Sequence, residues 1–228
     1  MFYVPKIRLF VFSKETNPLF SGCFMYLMKV QQSLFYRFLF TVFIACSSIA
    51  VQAETIVFDM SVFGFKFGEM VLTKSVKNDS TEVYTVNAKG KTDFLWMKRE
   101  EESIFKVEYR NGKLFSSDYE YLNKGKREKW SSVRFDGSKY MIQSHQGDRE
   151  FTAPLDYSLI KFYFDPTLDR EQIFCEEDCS YAQIERKENT LKVKCQDGSR
   201  STYHVKDGKV ESMEIHLDLA TVKLKRVS

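Results

Sequence analysis

The 228-residue sequence contains 34 lysines and arginines and 31 aspartates and glutamates, and 43% of its residues are hydrophobic. This length and balance fit one folded domain and exclude a disordered chain. Five of the basic residues and one of the acidic residues precede Glu54, which leaves 29 basic and 30 acidic residues after that point. A near-neutral domain lacks the positive surplus that neutralises phosphates, so no nucleic-acid partner is expected.

Residues 28–53 have the layout of a signal peptide. Lys29 and Arg37 supply a positive segment, a short apolar stretch follows, and Val51-Gln52-Ala53 has the pattern that signal peptidase recognises. The sequence therefore predicts cleavage between Ala53 and Glu54 and export to the periplasm or the extracellular space. Residues 1–27, before Met28, are interpreted as a non-native upstream extension.

Cys46 offers an alternative to this cleavage. Residues 43–46, Phe-Ile-Ala-Cys, loosely resemble the site at which a lipoprotein cysteine is acylated. Anchoring through a lipid on Cys46 is therefore a second hypothesis for the same leader. After Ala53 no apolar run approaches the ~20 residues that span a bilayer, so no transmembrane segment is expected in the mature chain.

Residues 54–228 predict a single all-β domain. Apolar and polar residues alternate with a period of two in residues 56–63, 105–110, 191–195 and 213–219, as in antiparallel strands with one buried face. Two-residue hairpin turns are predicted at residues 111–112, 136–137, 197–198 and 207–208, with further turns at 64–68 and 77–80. About ten strands in sequence order predict an antiparallel meander curled into a half-barrel or barrel.

One segment departs from this pattern. Between Pro154 and Pro166, apolar residues fall at helical spacing and predict one short helix, which we expect to plug an open end of the curled sheet. The segment is rich in aromatic rings, and Tyr157, Phe162 and Tyr163 are the residues expected to face any bound ligand. The alternative is that these rings only fill the core.

The order of these features resembles a known family. The shared features are a signal peptide, the Gly64–Gly68 turn, a strand ending at Asn111-Gly112, the run Arg134–Gly137, the segment Phe162–Pro166 and the closing turns at 197–198 and 207–208. In this layout the chain resembles the exported bacterial proteins of domain of unknown function 6134, which are similar in layout to family 3108. The resemblance implies an envelope or secreted β-sheet protein, and it implies no activity, cofactor or functional residues.

No catalytic constellation is visible in the sequence. His145, His204 and His216 are each interpreted as surface residues, and the nucleophile, metalloprotease and phosphate-loop motifs are absent. An enzyme is therefore not expected, nor is a cofactor.

The three cysteines after the leader are the more informative set. Export favours a disulfide among Cys175, Cys179 and Cys195, with the pairing undetermined and one thiol left over. Adding His204 makes a conceivable zinc set, but its spacing fits no common zinc module, so no metal is expected.

The sequence thus favours an exported cell-envelope protein that serves as a structural or interaction β-domain. A carrier for an apolar or envelope-derived ligand is the alternative. The partners expected are accordingly an envelope protein or an apolar ligand. The two functions differ in that a carrier needs an unfilled interior, whereas an interaction domain needs an exposed apolar patch.

Overall fold

Fourteen antiparallel strands form one sheet in this computed structural model, which describes residues 53–94, 97–166, 169–196, 198–217 and 220–228. Of residues 93–94 and 97–99 the backbone alone is described. The predicted upstream extension, the predicted signal peptide up to residue 52 and Cys46 lie outside these ranges. Within them, no helix has the length and apolar character needed to cross a bilayer.

The all-β prediction is confirmed, although the structure has fourteen strands rather than about ten. The additional strands include edge strands of three and four residues, in which alternation is too short to detect. The strands are β1 Ala53–Val62, β2 Phe65–Asn78, β3 Thr81–Phe94, β4 Met97–Arg110, β5 Lys113–Asn123, β6 Lys126–Phe135, β7 Tyr140–Ser144, β8 Arg149–Phe151, β9 Gln172–Cys175, β10 Ser180–Lys187, β11 Thr190–Lys194, β12 Arg200–Lys206, β13 Lys209–His216 and β14 Thr221–Arg226.

The sheet consists of two meanders joined through the first and last strands. Strands β1 to β8 follow one another in space, as do β9 to β14, and β1 pairs with β14. The connection between β8 and β9 therefore links the two opposite edges of the sheet. It contains the one described helix, α1 (Leu159–Phe162), which confirms the predicted short helix but limits it to one turn.

One face of the sheet carries the hydrophobic core. Residues of alternating positions such as Ile56, Phe58, Tyr84 and Leu224 are buried on this inner face, and their sequence neighbours point to the outer face. The connecting segment packs on the same side, so Phe162 and Tyr163 join the same cluster. The sheet is curled but not closed, and this half-barrel agrees with the predicted fold class.

The turn predictions have mixed outcomes. Asn111-Gly112 and Asp207-Gly208 have positive φ at both positions, as the predicted hairpin turn requires. The turn expected at 136–137 is instead a longer loop, in which the Asp136 carboxylate accepts hydrogen bonds from the N–H groups of Ser138 and Lys139. The turn expected at 64–68 lies at residues 63–64, because residues 65–68 already belong to β2.

Candidate functional site

The segment between β8 and β9 crosses the inner face and contains the predicted ligand-facing residues. All three of them, Tyr157, Phe162 and Tyr163, are buried. Phe162 and Tyr163 each lie edge-on to Tyr203, with ring centroids 5.2 Å and 5.9 Å apart. The structure thus brings these rings together in the core, where they contact the inner face of the sheet.

Ion pairs fasten this segment to the strands around it. The Lys161 Nζ lies 3.7 Å from the Glu82 carboxylate, which also bonds the Lys74 ammonium at 2.8 Å. The Tyr84 hydroxyl donates to the same carboxylate. Burial acts to raise the pKa of Glu82, but these partners outweigh it and lower the pKa below its ordinary value.

A small polar cluster lies inside the apolar core. Glu176 is 1% exposed, and its burial raises its pKa to about 7, a shift that the nearby Ser158 hydroxyl and the Ile160 N–H partly oppose. The hydroxyls of Tyr109 and Ser158 are buried beside it. Nothing in the sequence pattern distinguishes Glu176 from the two acidic residues that follow it.

Two of the three cysteines, Cys175 and Cys179, flank the turn between β9 and β10, and Cys195 follows β11. All are reduced in the structure, and Cys175 and Cys179 are buried. The Cys175 and Cys195 sulfurs lie 3.9 Å apart, while the Cys179 thiol bonds the Glu176 carbonyl. The disulfide expected from the sequence stays a prediction, and Cys175–Cys195 is the pair it would concern.

The histidines are dispersed. His145 and His216 are exposed and His204 is half-buried. The His145 ring contacts the Trp130 backbone, and the His216 ring contacts the hydroxyls of Thr202 and Thr221. His204 points to the outer face, so the conceivable zinc set of three cysteines and His204 does not assemble. In the described residues these rings share no cleft with the cysteines or with Glu176.

One end of the sheet exposes aromatic side chains. The β1–β2 turn at this end carries Phe63, 76% exposed, and Phe65, 63% exposed, which are the two most exposed large hydrophobic residues of the described chain. The β13–β14 loop lies beside it, because Val62 pairs with Val222 and His216 with Thr221, and it exposes Leu217. We call Phe63, Phe65 and Leu217 the apolar rim.

The β3–β4 hairpin ends at the same edge. Its strands are paired out to Phe94 and Met97, and the sequence between them is Leu95-Trp96, which lies outside the described residues. The next hairpin, β5–β6, turns through Lys124 and Gly125, and both Lys124 and Lys126 are exposed. An apolar tip at the β1–β2 turn and a basic tip at the β5–β6 turn therefore lie at the same end of the sheet.

The backbone near the apolar rim has three unusual features: a left-handed residue, a β-bulge and a close approach of two glycines. Phe63 has a φ of 51°, in the left-handed region that bulky residues rarely adopt. Below the turn, β1 has a bulge between Met60 and Ser61, and Gly68 faces Gly90 across the β2–β3 pair. A β-carbon on Gly68 would lie 2.2 Å from the Lys89 carbonyl oxygen, so only glycine permits this close approach of strands.

Two shallow grooves are described on the surface. One, of about 480 Å³, lies between the turns at the end opposite the rim and is lined in part by Arg110, Phe115 and Phe135. The other lies on the outer face near Trp130. Neither adjoins Tyr157, Phe162 or Tyr163, so neither is the site that the sequence predicted.

Comparison with known proteins identifies the chain by family only. The family model described as "Domain of unknown function (DUF6134)" matches residues 58–227, which is nearly the whole sheet. No curated protein and no solved structure matches the chain.

Proposed function

Since the chain belongs to the DUF6134 family, whose description names no activity, we propose a function from the structure: it is an exported interaction domain of the cell envelope that docks on an anionic lipid surface through its apolar rim. The observation that carries this proposal is Phe63, an exposed aromatic residue at the tip of a hairpin in a left-handed backbone conformation. A bulky residue in that conformation costs ~1–2 kcal/mol. An exposed ring at that cost is best explained by a role outside the fold.

The shape of the rim favours a lipid surface over a protein partner. A stable protein interface buries ~800 Å² on each side. Phe63, Phe65 and Leu217 project from two neighbouring turns and offer much less area than this. Narrow aromatic tips suit the boundary between headgroups and acyl chains, where amphipathic and aromatic side chains bind by partial burial.

The charges around the rim select the kind of lipid. Lys66 is exposed next to Phe65, although it pairs with Asp59 at 2.5 Å. Lys124 and Lys126 are exposed on the β5–β6 turn at the same end of the sheet. Each basic residue close to an anionic surface contributes ~1 kcal/mol of attraction. The proposed surface is therefore a bilayer that contains anionic phospholipid.

The experiment is co-sedimentation of the purified chain with vesicles of phosphatidylcholine alone and with phosphatidylglycerol added. We expect binding that increases with the anionic fraction and decreases with salt. The double variant Phe63→Ser/Phe65→Ser should lose most of it. The matched control is Met141→Ser, which removes an exposed apolar side chain from β7 and should bind like the wild type.

Two results would overturn the proposal. One is a wild type that does not sediment with anionic vesicles. The other is equal binding by the wild type and the double variant, which would place any lipid contact elsewhere on the sheet.

The carrier alternative has one specific observation in its favour, the polar cluster of Tyr109, Ser158 and Glu176 inside the core. Ligand sites typically have a small number of polar groups in an otherwise apolar lining, because those groups orient the ligand. Tyr109→Phe with Ser158→Ala removes two buried hydroxyls of this cluster while keeping most of the packing volume. If the chain binds a fluorescent apolar probe and this variant loses it while remaining folded, the carrier function is supported; an unchanged or absent probe signal contradicts it.

A further inference from the structure

Three metal-ligating side chains converge where β9 ends, β10 begins and β11 ends. The Cys175 sulfur, the Cys195 sulfur and a carboxylate oxygen of Asp178 all lie within 4.8 Å of one another. Cys175 is buried, whereas Cys195 and Asp178 are half-buried. These residues come from two separate parts of the second meander, and the sheet brings them to one place.

The spacing of the sulfurs fits a bridging ion. Two thiolates bound to one tetrahedral zinc ion, each at ~2.3 Å, lie ~3.8 Å from each other. The Cys175 and Cys195 sulfurs are 3.9 Å apart without any rearrangement.

A direct disulfide fits less well. Strand β10 lies between the strands that carry the two cysteines: Cys175 pairs with Ser180 on one side, and Gln183 pairs with Lys194 on the other. The two cysteines thus lie on opposite sides of β10, and two strand spacings of a flat sheet are ~9–10 Å. Disulfides rarely span more than ~7 Å between α-carbons without movement of the backbone.

Side chains from strands β6 and β8 hold the turn that carries Asp178. The Ser131 hydroxyl donates to the Glu176 carbonyl at 2.8 Å, and the Arg149 guanidinium donates to the carbonyls of Asp178 and Cys179. Cys179 has a φ of 50°, a conformation that closes the turn back onto β10. A ligand held by such outer contacts needs little reordering when an ion arrives.

We propose that Cys175, Cys195 and Asp178 bind one zinc ion. On binding, the two thiols lose their protons to solvent and the carboxylate enters as the third ligand, so one Zn²⁺ replaces two protons. The site then carries one net negative charge, and Arg149 is the nearby cation. The half-buried side of the site leaves the fourth position to water, and the ion ties β9 to β11 across β10.

The experiment uses the full chain, purified without chelator and with a reductant that does not bind metal, and probes it with zinc and with Co²⁺. We expect close to one zinc per chain by elemental mass spectrometry. Added Co²⁺ should produce thiolate-to-metal charge-transfer absorption. Cys195→Ser and Asp178→Asn should each weaken zinc binding by ~10-fold or more, with circular dichroism used to establish that both variants are folded.

The matched control is Cys179→Ser, because that thiol bonds the Glu176 carbonyl and is not one of the three ligands. It should bind zinc like the wild type. An equal loss of zinc binding in Cys179→Ser and Cys195→Ser would overturn the proposed set of ligands. So would a wild-type chain that takes up no zinc or Co²⁺, or a non-reducing peptide map of the untreated chain that shows a Cys175–Cys195 disulfide.

Discussion

Replacing Phe63 with asparagine should make the domain more stable while weakening its attachment to lipid. Phe63 adopts a φ of 51° and is 76% exposed. Asparagine tolerates the left-handed conformation, because its short polar side chain hydrogen-bonds locally. The substitution should therefore relieve the backbone and remove little packing.

The two effects can be estimated separately. Relief of part of the ~1–2 kcal/mol cost of the left-handed conformation should raise the free energy of unfolding by ~0.5–1 kcal/mol. For a domain of this size, that gain raises the melting temperature by ~1–4 °C. Loss of a ring that is mostly buried on docking should cost ~2 kcal/mol of binding, which weakens vesicle partitioning ~30-fold.

Phe65→Asn is the matched control for the backbone effect. Phe65 is exposed at the same tip but lies in β2 and is not among the residues with positive φ. The Phe65→Asn variant should lose vesicle binding to a similar degree, with no gain in the free energy of unfolding. Denaturant melts and vesicle sedimentation measure the two quantities. If Phe63→Asn lowers stability, the ring packs in the fold; if it leaves binding unchanged, the rim is not the docking surface.

Three further predictions concern the fold. Phe162→Ala should lower the free energy of unfolding by ~3–5 kcal/mol in denaturant melts, because that buried ring packs on Tyr203; a cost below 1 kcal/mol would contradict core packing. Gly68→Ala should cost ~1–3 kcal/mol, since its β-carbon would strike the opposite strand, and melting like the wild type would refute that clash. Glu82→Gln should cost ~1 kcal/mol at pH 7. The pKa of Glu82 is lowered from 4.5 in the folded state, so this difference should persist above pH 4.5 and vanish as pH falls through the lower pKa; a difference that is constant from pH 7 to pH 3 would contradict the ion pairs.

Much of the strand content followed from local patterns. Alternation around Ile56 and Leu191 identified strands and their buried face, since successive side chains of a strand point to opposite sides. Asn111-Gly112 identified a hairpin because those residues tolerate positive φ. The aromatic residues of the β1–β2 turn are also visible in the sequence, but the local pattern around Gly64 predicts only a turn.

The placement of the candidate sites depended on contacts between distant parts of the chain. The pairing of β1 with β14 brings Leu217 next to Phe63, and no local signal encodes that pairing. Cys175 and Cys195 approach each other because β9 and β11 pair with opposite sides of β10 near its first residues, whereas the Cys179 thiol bonds a backbone carbonyl. By itself the sequence determined most of the strands, some of the turns and the buried face, because each depends on neighbouring residues. Only the tertiary structure decided which side chains meet and which remain exposed, because those outcomes depend on register and curl across the whole sheet.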